Sequence, residues 1–424
     1  MVDVNPLDTA QQRSLELQAA RLLQRPEVLQ AKEDAARHWL EGVGSVRQEL
    51  QARFRDALEQ IAFHGALAAV NVDANHPKVH STPHWAHTVS GVRIPATMGG
   101  VPNPDSVYRF IPVDTASSFV ITGRFSKARP LVNDFSLVTK ELQTLANLSG
   151  CDLEVDADGR FAITVDPSPA SGRSNHLQTT DGAVQVLIRD TMGDWAAERP
   201  SRLHVQRTSG PPAAPPLTDD ALAPLAVQSI RKHVNDFSGT SRRAFAQPVN
   251  TLKTPAIHGG AASTGGFLVT QAYSMGWFLL ADDEALVVTA GTGGAAYLGV
   301  SLSDFWSITR DFTQHTVSFN NYQAAANADG SYTFVVAVQD PGVHNWLDPE
   351  GLNDGVIFAR WAGFDLDLIA EANPTIDATI VKLDRLASVL PPGTRLIHRT
   401  GRRQQVAGRA QDYAWRLAIG DAGT

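Results

Sequence analysis

The sequence predicts a mainly β protein with flanking helices, of the α+β class, built from two tandem jelly-roll-like antiparallel β-sandwich domains. Three observations predict this fold: helical spacing at the start, short β-rich runs over most of the remainder, and an internal repeat. The 424 residues are also too many for one typical core. We place an N-terminal helical segment at 1–72, sandwiches at 73–209 and 246–372, a proline-rich linker and helix at 210–245, and a helical tail at 373–424.

The opening helical segment is predicted by its apolar spacing. Apolar residues recur at three- and four-residue steps from Trp39 to Ile61, with Arg and Glu between them. This pattern is typical of an amphipathic helix that packs one face on a core. Pro26 separates it from an earlier helix around Leu15.

Beyond Asn71 the pattern changes to strands. Short runs rich in β-branched and aromatic residues, such as 107–113, are separated by Gly, Pro and Asp. Residues 135–148 return to helical spacing and predict a helix. The four prolines of 210–216 predict an extended linker, and Thr218 after it predicts the N-cap of a helix that ends near Phe237.

The second half of the chain repeats the pattern of the first. Asp158 opens one strand run and Asp329 opens the matching one, and a glycine follows each. Both copies close with a strand that ends in arginine, 31 residues after the aspartate, at Arg189 and Arg360. Agreement at several points predicts a duplication, and therefore two similar domains.

Charge and cysteine content exclude some classes of function. The net charge of −8 argues against a nucleic-acid partner held through its phosphates. Cys151 is the only cysteine, so no intrachain disulfide can form. Because the sequence has neither a signal-peptide pattern nor a run of about 18 apolar residues, we expect no membrane partner and a cytoplasmic location.

Three segments carry a family resemblance. Residues 99–108 read Gly-Gly-Val-Pro-Asn-Pro-Asp-Ser-Val-Tyr, residues 283–288 read Asp-Glu-Ala-Leu-Val-Val, and residues 340–348 read Asp-Pro-Gly-Val-His-Asn-Trp-Leu-Asp. They resemble bacterial proteins that carry the domains of unknown function numbered 1254 and 1214. The resemblance covers roughly residues 70–415. It implies paired β-sandwich domains with flanking helices and brings no established reaction.

One segment departs from the family pattern. Where relatives typically have Arg-x-Ser-Leu-Asn-Gly-Ala-Gln, residues 316–323 read Thr-Val-Ser-Phe-Asn-Asn-Tyr-Gln. Asn320 and Gln323 lie in this segment, and we take them as candidate substrate-binding residues whose contacts differ from those of the family. Tyr108 is a further candidate, because it begins a strand after a rigid Asn-Pro-Asp turn and could line a cavity.

The second copy carries the richest set of chemical groups. We predict acid–base catalysis by His344 with Asp348, oriented by Arg360, on a carbohydrate or small polar organic molecule held by Asn345 and Trp346. A hydrolase, lyase or isomerase reaction would fit. The sequence leaves open a non-catalytic binding module, or a structural protein that forms homo-oligomers. In those cases Asn345 would cap a loop, Trp346 would fill a sandwich edge and Arg360 would pair with a carboxylate.

Four histidines between positions 76 and 87 invite a metal-site interpretation. These are His76, His80, His84 and His87. Prolines interrupt the helix that would align them, and neither a His-Glu-x-x-His motif nor a cysteine pair accompanies them. We therefore predict a polar turn here rather than a set of metal ligands, and we assign no cofactor.

Overall fold

Six helices frame the strands of this computed structural model, which describes residues 5–43, 46–257, 268 and 270–417. In chain order the helices are α1 (Ala10–Leu22), α2 (Pro26–Val43), α3 (Gln48–Ala69), α4 (Asp219–Phe245), α5 (Leu386–Val389) and α6 (Arg399–Leu417). The predicted N-cap of α4 is confirmed, since the Thr218 side chain accepts a hydrogen bond from the Ala221 amide. The helix ends at Phe245 and not near Phe237.

Eleven strands belong to the described part of the first half of the chain and form two sheets and a hairpin. The first ten are β1 (His80–Thr82), β2 (His87–Val89), β3 (Val92–Ile94), β4 (Ser106–Pro112), β5 (Ser118–Arg124), β6 (Val132–Val138), β7 (Thr144–Ser149), β8 (Arg160–Asp166), β9 (His176–Gln178) and β10 (Gln185–Thr191). With β11 (Arg202–Ser209) they give a five-stranded sheet of order β1-β4-β10-β6-β7, a four-stranded sheet of order β9-β8-β5-β11, and the hairpin β2-β3.

The second half has the same strand order. Its strands are β12 (Ala256–Ile257), β13 (Gln271–Leu279), β14 (Glu284–Gly291), β15 (Tyr297–Ser303), β16 (Ser318–Asn320), β17 (Tyr332–Ala337), β18 (Trp346–Leu347), β19 (Asp354–Ala362) and β20 (Thr375–Lys382). They form sheets of order β12-β13-β19-β15-β16 and β18-β17-β14-β20. Arg189 and Arg360 occupy equivalent register positions, opposite Tyr108 and Tyr273 respectively. The repeat seen in the sequence is therefore visible in the strand order.

Each pair of sheets encloses apolar side chains, as alternation of inward and outward residues requires. In the first sandwich Ile111, Phe135, Ile163 and Val186 are fully buried. The second sandwich buries a similar set and shares its core with the helices. Trp306 makes this connection, because its indole packs against Trp39 and Phe54 and its N–H donates to the Leu50 carbonyl at 2.7 Å.

Two predicted elements are wrong. The segment 135–148, where a helix was expected, forms strands β6 and β7. All seven residues of β6 are buried, so its sequence lacks the alternation of apolar and polar residues by which a strand is recognised. The tail expected from 373 begins with β20, which pairs antiparallel with β14 and extends the second sandwich to Lys382. The sandwiches are also not wholly antiparallel, since β9 and β18 each pair in parallel with a neighbour.

Helix α6 fills the seam between the two sandwiches. Arg416 donates to the carbonyls of Pro83, Pro104 and Ser106 in the first half. Arg409 donates to the Phe312 carbonyl at 3.2 Å in the second half. Within the described ranges, none of these helices has the length and apolarity to cross a bilayer.

Candidate functional site

The residues predicted for catalysis lie in separate hydrogen-bond networks. His344 is 9% exposed, and its Nδ1 lies 3.0 Å from the Asn345 side-chain oxygen. Asp348 instead pairs with His315, whose Nδ1 lies 2.7 Å from a carboxylate oxygen. Arg360 lies in the other sheet of the second sandwich. In the part of the chain that the structure describes, no hydrogen bond or ion pair joins His344, Asp348 and Arg360 to one another.

The contacts of Arg360 join its own sandwich to Val101 in the first half of the chain, and none of those described involves His344. Its guanidinium donates to the Ser301 hydroxyl at 3.0 Å and to the Val101 carbonyl, and it stacks on the Phe358 ring at 3.8 Å. The side chain is 7% exposed. Because its donors bind Ser301 of the second half and Val101 of the first, Arg360 lies between the two sandwiches.

Asn345 and Trp346 also bind the protein itself. The Asn345 amide donates to the carbonyls of Ala325 and Thr333, and its oxygen accepts from the Ala325 amide at 2.8 Å. The Trp346 indole donates to the Ala337 carbonyl at 2.8 Å. These contacts match the loop cap and sandwich edge that the sequence left as the structural alternative.

The other predicted binding residues contribute to the contact between the sandwiches. Asn320 is fully buried and donates to Asp105 at 2.9 Å. The Gln323 side-chain oxygen accepts from Arg409 of α6 at 2.9 Å. Tyr108 is half-buried, with the Arg189 guanidinium 6.0 Å from its ring centre.

Of the four clustered histidines, two lie apart and two face each other. His76 lies against the linker, with Nε2 2.8 Å from the Ala214 carbonyl oxygen. His80 is buried and stacks on Phe110, with ring centres 4.9 Å apart. His84 and His87 instead face each other, with ring centres 5.0 Å apart.

The buried His80 gives a testable pH dependence. Burial lowers its pKa from 6.5 to about 3, so the folded protein keeps this ring neutral while the unfolded chain protonates it below pH 6.5. Stability is therefore lost as pH falls, by about 2 kcal/mol from this residue between pH 7 and pH 5. We expect the free energy of unfolding in urea to fall between pH 7 and pH 5 in the native protein. In His80→Phe this fall should be smaller by about 2 kcal/mol.

The exposed His38 supplies the control for this experiment. We expect His38→Gln to retain the pH-dependent loss, because it replaces a histidine and leaves the buried His80 in place. Equal pH dependence in His80→Phe and the native protein would contradict the prediction.

A buried carboxylate of α1 meets His84 and His87. The Glu16 oxygens lie 3.1 Å from the His87 Nε2 and 3.8 Å from the His84 Nε2. One ligand atom from each of the three residues lies within 4.8 Å of the others. Glu16 was not predicted, although it lies on the same helix face as the buried Leu15 and Ala19.

Neighbouring groups fix the orientation of all three side chains. Gln12 donates to Glu16 at 2.8 Å and is itself held by the Ser81 backbone. The Trp85 carbonyl oxygen lies 3.2 Å from the Nδ1 of His84 and 2.8 Å from the Nδ1 of His87. Because a carbonyl only accepts, both rings carry a proton on Nδ1.

The electrostatics of the cluster favour an anionic Glu16 beside a neutral His84. Burial lowers the pKa of His84 to about 4, against the opposing effect of the Glu16 charge. Burial would raise the pKa of Glu16, but the hydrogen bond with His87 and the nearby imidazoles lower it on balance. Burial also acts to lower the pKa of His87, but its hydrogen bonds with Glu16 and the Trp85 carbonyl, together with the nearby carboxylate charges, raise it on balance.

A pocket of about 260 Å³ opens beside this cluster. Its wall is formed by Trp85, Ala86, His87, Thr313, Arg416 and Leu417. Two of these residues carry N–H groups without a hydrogen-bond partner in the described structure, Trp85 Nε1 and Arg416 Nε. The pocket thus adjoins the cluster through His87, and two of its wall residues carry buried donors without a partner among the described residues.

A larger groove of about 370 Å³ runs along α1 but is more open to solvent. Its two arginines are engaged, Arg13 with Asp8 at 2.5 Å and Arg21 with Asp219 at 3.4 Å. We therefore take the smaller pocket beside His87 as the candidate site.

Comparison with solved structures supports the fold. An uncharacterised protein from Burkholderia cenocepacia aligns with a TM-score of 0.72 and 23% identity, over 87% of this chain and 100% of that one. A protein from Vibrio parahaemolyticus aligns with a TM-score of 0.42 and 11% identity, over 66% of this chain and 90% of that one. No family model and no curated protein matches the sequence, so the family resemblance stays a prediction.

Proposed function

We propose that the protein binds a small polar organic molecule in the pocket beside His87 and carries out polar chemistry on it. The observation that carries this proposal is the junction of the 260 Å³ pocket, through His87, with the buried Glu16 and the half-buried His84. A concave pocket with a few convergent polar groups is the usual form of a small-molecule site. This keeps the kind of ligand expected from the sequence and moves the site to the seam between the sandwiches.

The charge of Arg416 favours an anionic ligand. Its side chain is 5% exposed, and its hydrogen bonds go to the backbone carbonyls of Pro83, Pro104 and Ser106. Among the described residues it forms no ion pair with a carboxylate. A buried cation that meets only neutral acceptors gains from a nearby negative charge. A small carboxylate therefore suits the pocket better than a neutral sugar.

Ala86 provides the test, because it is exposed and lines the pocket. Ala86→Trp should fill the pocket without disturbing the core, and Ala86→Ser is the matched control. Thermal unfolding and calorimetry are measured with a panel of small mono- and dicarboxylates and neutral sugars. At a concentration 100 times its Kd, a bound ligand adds about 2.7 kcal/mol to stability.

We expect at least one carboxylate to stabilise the native protein and Ala86→Ser but not Ala86→Trp. Incubation of that carboxylate with the native protein, followed by NMR, then shows whether it is converted. The proposal fails if no compound binds, or if Ala86→Trp binds the same compound as tightly as the native protein.

A further inference from the structure

We infer that Glu16, His84 and His87 form a binding site for one divalent first-row transition metal ion, with Zn²⁺ as the reference ion. Two imidazoles and one carboxylate are a frequent ligand set for such ions. The site itself depends only on the contacts of these three residues. The chemistry that the metal would supply rests on the proposed function of the pocket.

The distances between the three side chains suit a shared ion. Ligands bound at about 2.1 Å in tetrahedral geometry lie about 3.4 Å from one another. One Glu16 oxygen is 3.1 Å from the His87 Nε2 and the other is 3.8 Å from the His84 Nε2, on either side of that value. One ligand atom from each residue lies within 4.8 Å of the others, so the three must draw together to bind one ion.

The tautomers of the two histidines also suit a metal. Both Nδ1 atoms face the Trp85 carbonyl and carry the proton, so each neutral ring would bind a metal through its Nε2, the atom that faces Glu16. Metal-bound histidines usually donate their second N–H to a carbonyl or carboxylate in this way. One backbone oxygen thus orients both rings.

A proton on His87 would satisfy only part of the cluster. It would form the hydrogen bond between His87 and Glu16, but His84 Nε2 would still have no hydrogen-bond partner among the described residues. His84 Nε2 and the nearer Glu16 oxygen are both acceptors and face each other across 3.8 Å. A divalent cation would satisfy both acceptors, as well as the His87 Nε2.

The adjoining pocket indicates a catalytic and not a purely structural metal. Structural zinc sites use four protein ligands, whereas catalytic sites use three and leave a position for water or substrate. Here three ligands adjoin a pocket whose wall includes His87 itself. A metal at this position would polarise an oxygen of a bound carboxylate.

Calorimetry with ZnCl₂ on the full chain, after treatment with a chelator, tests the site. We expect one Zn²⁺ per chain in the native protein and in His76→Ala, which removes a nearby histidine outside the cluster. Glu16→Gln and His87→Ala should each weaken binding by more than about 100-fold, because loss of a direct ligand exceeds the effect of losing its supporting group. Circular dichroism checks that each variant is folded.

His87→Cys with Co²⁺ keeps the test decisive if those variants fold poorly. A cysteine ligand should add a thiolate-to-cobalt charge-transfer band that the native protein lacks, and a structural role for His87 would produce none. Absence of stoichiometric Zn²⁺ binding in the native protein, or unchanged binding in folded Glu16→Gln and His87→Ala, overturns the inference.

The two proposals fail separately. Ala86→Trp should retain Zn²⁺ binding, since Ala86 is not a ligand. Carboxylate binding without metal binding would leave the pocket function standing and refute the metal site. Metal binding without binding of any small molecule would support the metal site and refute the pocket function.

Discussion

Replacement of Asp105 by alanine is expected to destabilise the protein by about 3 kcal/mol or more. Asp105 is 1% exposed and accepts hydrogen bonds from Trp195 at 2.7 Å, Asn320 at 2.9 Å and Tyr297 at 2.6 Å. Its removal takes an acceptor from three buried side chains. The Tyr297 hydroxyl can still donate to Asn103 at 3.1 Å, whereas the Trp195 indole and one Asn320 N–H lose their acceptor, each at a cost of about 1–3 kcal/mol. Two of the three donors come from the second sandwich, so the contact between the sandwiches weakens as well.

Asp105→Asn is the matched control, because it retains one side-chain oxygen. Burial raises the pKa of Asp105 despite the donors around it, so a neutral side chain of the same shape is tolerated better than alanine. Urea unfolding followed by circular dichroism should rank the native protein first, Asp105→Asn second and Asp105→Ala last. A loss below about 1 kcal/mol in Asp105→Ala would contradict a joining role for this carboxyl group.

Arg109→Ala should cost about 3–5 kcal/mol, because it leaves a buried carboxylate without its cation. Arg109 is 2% exposed, and its guanidinium bonds directly to Asp190, which is fully buried. Asn133 donates to the second Asp190 oxygen at 2.6 Å, and the Ser201 carbonyl accepts from Arg109 at 2.5 Å. The pair therefore forms a buried polar network on one face of β4 and β10.

The pH dependence of Arg109→Ala separates charge from packing. Burial raises the pKa of Asp190 even with Arg109 present, and the pKa should rise further without it. A raised carboxyl pKa penalises the folded state above that pKa, so the defect should shrink as the pH is lowered and Asp190 is protonated.

Arg109→Met combined with Asp190→Leu should recover most of the loss, because it removes both charges and fills similar space. Chemical unfolding of the double variant between pH 5 and pH 8 provides the measurement. A defect in Arg109→Ala that is independent of pH and persists in the double variant would point to packing alone.

The architecture was predictable because it is duplicated. Asp158 and Asp329 each precede equivalent strands, β8 and β17, and the arginines that follow lie at equivalent positions in β10 and β19. A repeat shows two copies of the same pattern, so an ambiguous run in one copy is supported by the other. Strand β6 was missed because both of its faces are buried, which removes the two-residue period on which recognition depends.

The candidate site was only partly predictable, because its ligands are distant in sequence. His84 and His87 drew attention by their density, whereas Glu16 belongs to a helix more than 60 residues earlier. One signal was available: Gln12 and Glu16 share a helix face with Leu15, Ala19 and Leu22. A carboxylate within an apolar stripe needs a buried partner. The identity of that partner depends on tertiary packing.

The seam position of α6 has a consequence for synthesis of the chain. Domains generally fold as they emerge from the ribosome, from the N-terminal side first. The first sandwich can close on its own apolar core early, and Glu16 can meet His84 and His87 at that stage. The wall of the pocket, however, includes Arg416, more than 300 residues beyond His87. Ligand binding should therefore be a late property of the nascent chain, acquired only when α6 has docked.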